Sequence, residues 1–288
     1  MSIRSRPPIV SWRRVVRSAV ALVAIGALSP VSPGQAAPST VGWVVRCEFV
    51  RHLRDDPIAY PGRPGASHLH AFWGNKTTDA SSTHASLLRG ATSCGLSEDK
   101  AAYWVPAAYS GTTLLTPMRG TFYYRSRTHP ASAVRPFPPG LKVIAGNGAA
   151  TGPQSTRILY WDCDKGGSDQ NLDHPVDCGN GFVSANIRFP DCWNGVNIDS
   201  TDHKRHMAYS TDPDGDGRHT CPRTHPVPVP RLTYSLVFPI HDGTKLKLSS
   251  GPHHTMHADF FNGWVQAKLA TLVTQCIHAQ IDCGTLRS

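Results

Sequence analysis

The chain has 288 residues, 40% of them hydrophobic and 17% charged, with a formal net charge of +9. Arg4, Arg6, Arg13, Arg14 and Arg17 supply five of those charges, and the remaining +4 contains no lysine- or arginine-rich run. That balance argues against a nucleic-acid-binding protein and leaves only a weak, salt-sensitive attraction to anionic envelope polymers.

Residues 1–37 have the pattern of a signal peptide. The five arginines precede an apolar run at 18–28, and small residues follow around Ala36 and Ala37, where a signal peptidase would cut. The run is too short for a stable membrane anchor, and Arg13–Arg14 permits either Sec or twin-arginine export. The expected product is a secreted single domain, residues 38–288.

An exported chain meets an oxidising compartment, and all eight cysteines follow the leader. Four disulfides are expected. Nearness in the chain suggests Cys47–Cys94, Cys163–Cys178, Cys192–Cys221 and Cys276–Cys283, among many possible pairings. The absence of a C-x-x-C pair argues against a zinc ribbon or a thioredoxin-like motif.

Short β-like runs bounded by Gly, Pro, Asn or Ser recur at 42–50, 101–109, 121–125, 141–146, 157–162, 182–189 and 231–238. Val265, Leu269, Leu272, Val273 and Cys276 recur at helical spacing and predict a helix over 264–276. Many strands and one late helix predict a mainly β, single-domain sandwich, jelly-roll-like, with long loops.

Three polar clusters carry the candidate chemistry. In RDDPIAYPGRPGASHLHAFWGN, His68 and His70 are two apart, so an extended backbone turns both to one face. Asp56, Trp73 and Asn75 share that run as a candidate acid, a stacking plate and a hydrogen-bonder. In FPDCWNGVNIDSTDHKRHMAY, Trp193 and Asn197 are candidate ligand-binding residues, Asp199 a candidate acid or base, and His203 and His206 candidate metal ligands. In GPHHTMHADFFNGW, His257 and Asp259 share a face if extended, and Asp259 is a candidate ligand or general base. The turn DPDGDG, from Asp212 to Gly217, copies half a calcium loop but has Arg223 where the bidentate glutamate belongs, so it reads as an acidic turn.

Together RDDPI, SHLHAFWGN, FPDCWNGVNIDSTDHKRHMAY, CPRTHPVPVP and HADFFNGW resemble the secreted domain of unknown function numbered 1996, found in fungi and actinobacteria. The resemblance runs from about Val41 to Cys283. It implies that Asp56, Pro57, His68, His70, Asn75, Cys192, Trp193, Asn197, Asp199, His203, His206, His225, His257 and Asp259 are motif positions. Fungal relatives sometimes carry a WSC carbohydrate-binding module and usually have glycine at the position of Trp73; the resemblance here is to the actinobacterial type without that module. The resemblance supplies no reaction.

The expectation is that the three histidine-bearing segments line one groove. There His68, His70 and one of His203, His206 or His257 would hold zinc or copper, the metals that an imidazole-rich set suits. Three classes stay open. One is a carbohydrate-active hydrolase acting on cell-wall or environmental polysaccharide, with Asp56, Asp199, Asp259 and His257 as catalytic candidates. Another is a glycan-binding module using Trp73, Trp193 and Trp264 as plates, and the third is a disulfide-braced envelope protein. No G-x-S-x-G is present, which argues against a serine hydrolase.

Overall fold

The strand Arg231–Phe238 shows how the sequence builds the scaffold. Its residues alternate, so that Leu232, Tyr234, Leu236 and Phe238 point inward while Arg231, Thr233, Ser235 and Val237 point out. It lies fourth in a six-stranded sheet ordered Asp282–Thr285, Gly42–Cys47, Gly120–Arg125, Arg231–Phe238, Val183–Arg188 and Leu159–Cys163. All neighbours are antiparallel except Gly42–Cys47 with Asp282–Thr285. The computed structural model describes residues 41–165 and 171–288, so the signal-peptide expectation lies outside the described residues. Those described fall within one compact unit, Ala37–Ser288.

A second, five-stranded sheet is ordered Phe49–Leu53, His70–Gly74, Ala102–Pro106, His257–Phe261 and Lys142–Gly146. The two sheets face each other across an aromatic core. Tyr103 of the second sheet stacks on Phe122 of the first with ring centroids 4.0 Å apart, and Tyr103 meets Phe260 at 5.6 Å. The protein is therefore mainly β, a sandwich of two antiparallel-rich sheets with smaller three-stranded sheets beside them. The disulfides are Cys47–Cys94, Cys163–Cys178, Cys192–Cys221 and Cys276–Cys283, and no cysteine is free. Four crosslinks suit an extracellular or oxidising setting. No helix among the described residues is long and apolar enough to cross a membrane.

Two central strands, His70–Gly74 and His257–Phe261, were not among the expected runs. Both are buried on both faces, so the apolar-polar alternation that announces a half-exposed strand is missing. Their outer face is covered by a small second core of Ile58, Phe72, Leu87, Ala102, Trp104 and Phe261. Leu87 comes from a short helix, His84–Arg89, capped reciprocally by Thr83 and Ser86. That helix is too brief to show periodicity in the sequence. The expected C-terminal helix is Gln266–Leu272, which continues as a π-turn over Val273–His278.

Between the sheets runs a chain of buried polar groups. Tyr103 donates to Asp99 at 2.5 Å, the Tyr103 and Tyr124 hydroxyls meet at 2.6 Å, and the Trp264 indole donates to the Tyr124 oxygen at 3.0 Å. Burial pushes the Asp99 carboxyl up to about 7, against its hydrogen bonds from Tyr103 and Ala101. The folded chain keeps this proton to about pH 7, whereas the unfolded chain releases it near 4. The stability from this group is therefore complete below about pH 4 and is lost as pH rises through 7. Asp99→Asn is expected to gain on the wild type in unfolding midpoint between pH 5 and pH 8, measured by thermal melts. A constant difference across that window would contradict it.

Candidate metal centre

The alternation within two strands places the site. In His70–Gly74, Ala71 and Trp73 turn into the main core while His70 and Phe72 turn outward; in His257–Phe261, Ala258 and Phe260 turn inward while His257, Asp259 and Phe261 turn outward. The strand Ala102–Pro106 lies between them, pairing Trp104 with both Phe72 and Asp259. His70, His257 and Asp259 therefore share the outer face of the five-stranded sheet, beneath the segment that leads from Arg54 to His68. From behind, the Tyr234 hydroxyl reaches across the sandwich and donates to the Asp259 backbone carbonyl at 2.6 Å.

The imidazoles converge. Ring centroids are 4.2 Å apart for His68 and His70, 5.1 Å for His68 and His257, and 6.0 Å for His70 and His257. Ligand atoms of His68, His70 and His257 lie within 4.8 Å of one another, as do those of Asp56, His70 and Asp259. The two groups share His70, and His257 Nε2 stands 3.9 Å from Asp259 Oδ2.

Hydrogen bonds fix which nitrogen faces the centre. His70 Nδ1 is 3.1 Å from the Asp55 carbonyl and His257 Nδ1 is 2.9 Å from the Thr255 carbonyl. A carbonyl only accepts, so both Nδ1 atoms carry the proton and both Nε2 atoms present a lone pair. Burial holds both rings neutral. It lowers His70 well below the ordinary imidazole value, with His68 and His257 adding to the effect, and brings His257 down to about 4. His68, at the more exposed edge, is lowered by burial and then by Arg54.

The carboxylates complete the donor set. Both oxygens of Asp259 are buried without a hydrogen-bond partner, and so are the Nε2 atoms of His68 and His70. Burial raises the Asp259 carboxyl well above the usual range, the neighbouring Asp56 raises it further, and only Lys204 opposes. Asp56 is raised by burial but accepts from the Ile58 and Ala59 N–H groups at 2.8 and 2.9 Å, and Trp104 stands close enough to favour its charged form. Buried, unpartnered carboxylate oxygens and imidazole nitrogens gathered at one point are what a divalent cation satisfies. Three imidazoles and a carboxylate match the preferences of zinc or copper rather than calcium or magnesium.

The loop after Cys192 forms a rim and not part of the donor set. His203 Nδ1 pairs with Asp199 at 2.8 Å, and the Nε2–H of His206 donates to the Lys142 carbonyl at 2.6 Å while its Nδ1 meets the Ser200 hydroxyl at 2.9 Å. The metal expectation for His206 is corrected accordingly, because both its ring nitrogens have local partners; His203 has only Nδ1 engaged, and neither residue belongs to the clusters that bring His68, His70, His257, Asp56 and Asp259 together. Asp199 is committed to His203 and to Lys142 Nζ at 3.6 Å, and Lys142 Nζ also donates to the Pro57 carbonyl at 3.1 Å. Lys204 Nζ reaches the Gly146 carbonyl at 2.7 Å. Beside this loop is an open polar depression of about 500 Å³, lined by Asn194, Asn197, Asp199, Ser200, Thr201 and Arg205.

Two further expectations are corrected. Trp73 is fully buried and donates its indole N–H to the Met118 carbonyl at 3.2 Å, while Trp264 belongs to the core, so neither can stack a ligand. Asn75 is buried and satisfied: its amide donates to the Leu87 and Lys100 carbonyls, and its oxygen accepts from Thr77. Trp193 is half-buried, with its indole donating to the Asn197 carbonyl at 2.6 Å, and the Asn197 side chain is exposed at the depression. In the acidic turn, Asp212 accepts from the Gly217 N–H and Asp216 from that of Arg218, the next residue.

Asp55 is a positioning residue that the sequence did not single out. Its two oxygens accept from the Gly65 and Ala80 N–H groups at 2.8 and 3.0 Å, and its carbonyl orients His70. The doubled acid in RDDP was the available signal.

No curated protein and no solved structure matches the chain. A family model described as "Domain of unknown function (DUF1996)" matches residues 56–264, a span that contains Asp56, His68, His70, His257 and Asp259. The chain belongs to that family.

Proposed function

We propose that the protein is a metal-dependent hydrolase of extracellular polysaccharide, with His68, His70, His257 and Asp259 as the zinc or copper ligands. The observation that carries the reading is the set of buried polar atoms without a hydrogen-bond partner: Nε2 of His68 and His70 and both oxygens of Asp259. A metal bound there would acidify a water and polarise the scissile group. Asp56, its carboxyl raised by burial, stands ready as a further ligand or as the base that takes the water's proton. His68, the more exposed of the three imidazoles, marks the side from which a substrate reaches the centre.

The saccharide part rests on the disulfide-rich setting and on the polar depression, where Asn197, Asp199, Ser200 and Thr201 offer short hydrogen-bonding side chains to sugar hydroxyls. A metal-free pair of carboxylates fits less well. A retaining pair stands about 5–5.5 Å apart, and the Asp56 and Asp259 oxygens are within 4.8 Å. Asp259 is, however, fully buried, which leaves no room for a sugar ring beside it.

Protein purified without a histidine tag should carry one equivalent of zinc or copper by elemental analysis. His70→Ala is expected to weaken that binding by about 10–100-fold, and His68→Ala to do so as well. Release of reducing ends from cell-wall polysaccharide should stop after chelation and return with metal. Protein that takes up neither metal, or cleavage unchanged by chelation and by His70→Ala, would remove the reading.

A further inference from the structure

Four arginines meet at one end of the six-stranded sheet. Arg188 ends the strand Val183–Arg188 and Arg231 begins the neighbouring strand Arg231–Phe238. Arg127 follows Gly120–Arg125, which pairs with Arg231–Phe238 on its other side, and Arg157 precedes Leu159–Cys163, which pairs with Val183–Arg188. Antiparallel order brings all four to the same edge, although they are scattered along the chain. They line a cleft of about 640 Å³ together with Tyr209 and His219.

The acids at hand offset this edge only in part, Asp191 alone acting on Arg231. Arg125, one strand residue away, is paired with Asp282, but among the described residues none of the four cleft arginines has an ion pair. Asp191 is buried and engaged with the Ser210 N–H and hydroxyl, both at 2.8 Å, and one oxygen of Asp212 accepts from Gly217. Arg188 lies over the Tyr160 ring at 4.3 Å and donates to the Thr156 carbonyl, which fixes its guanidinium at the wall. The Nε of Arg231 is buried with no hydrogen-bond partner. Burial, and then the like charge of Arg127, pushes Arg231 down to about 10. Such crowding of like charge is costly unless an anion relieves it.

We propose that this cleft binds an acidic polysaccharide, through its repeated carboxylate or phosphate groups. Guanidinium forks suit both oxyanions, because each offers two acceptors in one plane. The cleft is far larger than a single phosphate or sulfate ion, and four positive side chains from four strands suit a ligand with several anionic groups. The disulfide-rich fold places such a polymer outside the cell rather than a nucleic acid within it. This site needs neither the metal nor hydrolysis. It touches the histidine centre through one loop, since Gln154 bonds to the His254 and Met256 carbonyls while Ser155 and Arg157 line the cleft.

The test is calorimetric titration of the whole secreted chain with polygalacturonate, a teichoic acid, neutral dextran, inorganic phosphate and single-stranded oligodeoxythymidylate. Binding is expected for polygalacturonate or the teichoic acid, which separates the carboxylate source from the phosphate source, and not for dextran. It should weaken steeply between about 50 and 200 mM salt and persist after chelation. Arg127→Gln with Arg157→Gln changes two exposed side chains, so the unfolding midpoint should hold while affinity falls on the order of tenfold. Arg231→Gln should lower affinity as well. No binding of either acidic polymer, full binding by the double variant, free phosphate binding as tightly as the polymers, or tighter binding of the oligodeoxythymidylate would each overturn the proposal.

Discussion

Zinc at about a hundred times its Kd is expected to raise the unfolding midpoint of the wild type by about 5–10 °C, and Asp259→Asn to abolish that rise. A ligand at that excess adds about 2.7 kcal/mol, and a chain of this size shifts about 2–4 °C per kcal/mol. The metal-free proteins should rank the other way at pH 8. Asp259 is buried with both oxygens unpartnered, and its carboxyl is raised well above the usual range by burial and by Asp56. A raised acid contributes its full stability below the unfolded value near 4 and loses it as pH rises through the folded value. An amide carries no charge and escapes that loss, so the metal-free variant should exceed the metal-free wild type by on the order of 1 kcal/mol at pH 8. At pH 4 the advantage should vanish. Melts with and without zinc at both pH values check the crossover. A variant that is less stable throughout, with the zinc effect intact, would mean that Asp259 is a structural carboxyl and not a ligand.

Much of this centre was legible because β geometry has a period of two. His68 and His70, two apart, do face each other, with rings 4.2 Å apart, and His257 and Asp259 likewise share a face. The same rule carried information that went unused. A strand that turns His70 outward must turn Trp73 inward, which removes Trp73 as a stacking plate. The loop histidines were less readable: His203 and His206 lie in turns, where local partners such as Asp199, Ser200 and the Lys142 carbonyl decide their role. Asn75 looked like a sugar-binding amide, yet it closes a turn and ties the short helix to the sheet. Among the expected runs, Gly120–Arg125, Lys142–Gly146 and Arg231–Phe238 alternate buried with half-buried residues, whereas Ala102–Pro106 is buried throughout and was legible from its Tyr, Trp and Val content. The runs missed His70–Gly74 and His257–Phe261, which are covered on both sides. The arginine cleft had no signature at all, because its charges come from the ends of four strands, and the segments flanking them, that only the sheet order makes neighbours.

Replacing Cys192 and Cys221 with alanine is expected to cost about 3–4 kcal/mol and yet leave zinc uptake nearly intact. The disulfide closes a loop with a sequence separation of 29, for which the chain-entropy model gives that magnitude within the usual range of 2–5 kcal/mol. The loop carries Asp199, His203, His206 and the polar depression, but none of His68, His70, His257 or Asp259. His70, His257 and Asp259 are held by the five-stranded sheet, by the Asp55 and Thr255 carbonyls, and by Tyr234 from behind, and His68 packs its ring against His70 and His257. Loosening the loop frees the rim without moving the proposed ligands, so denaturant melts should show the lost stability while the zinc affinity stays within a few-fold. Under the proposed function, polysaccharide turnover should then fall through KM more than kcat, because in that reading the rim would orient sugar hydroxyls while the sheet would supply the reacting groups. Loss of zinc together with the disulfide would place the loop histidines in the donor set. Unchanged KM would take the depression out of the substrate path and leave the opening beside His68 as the route in.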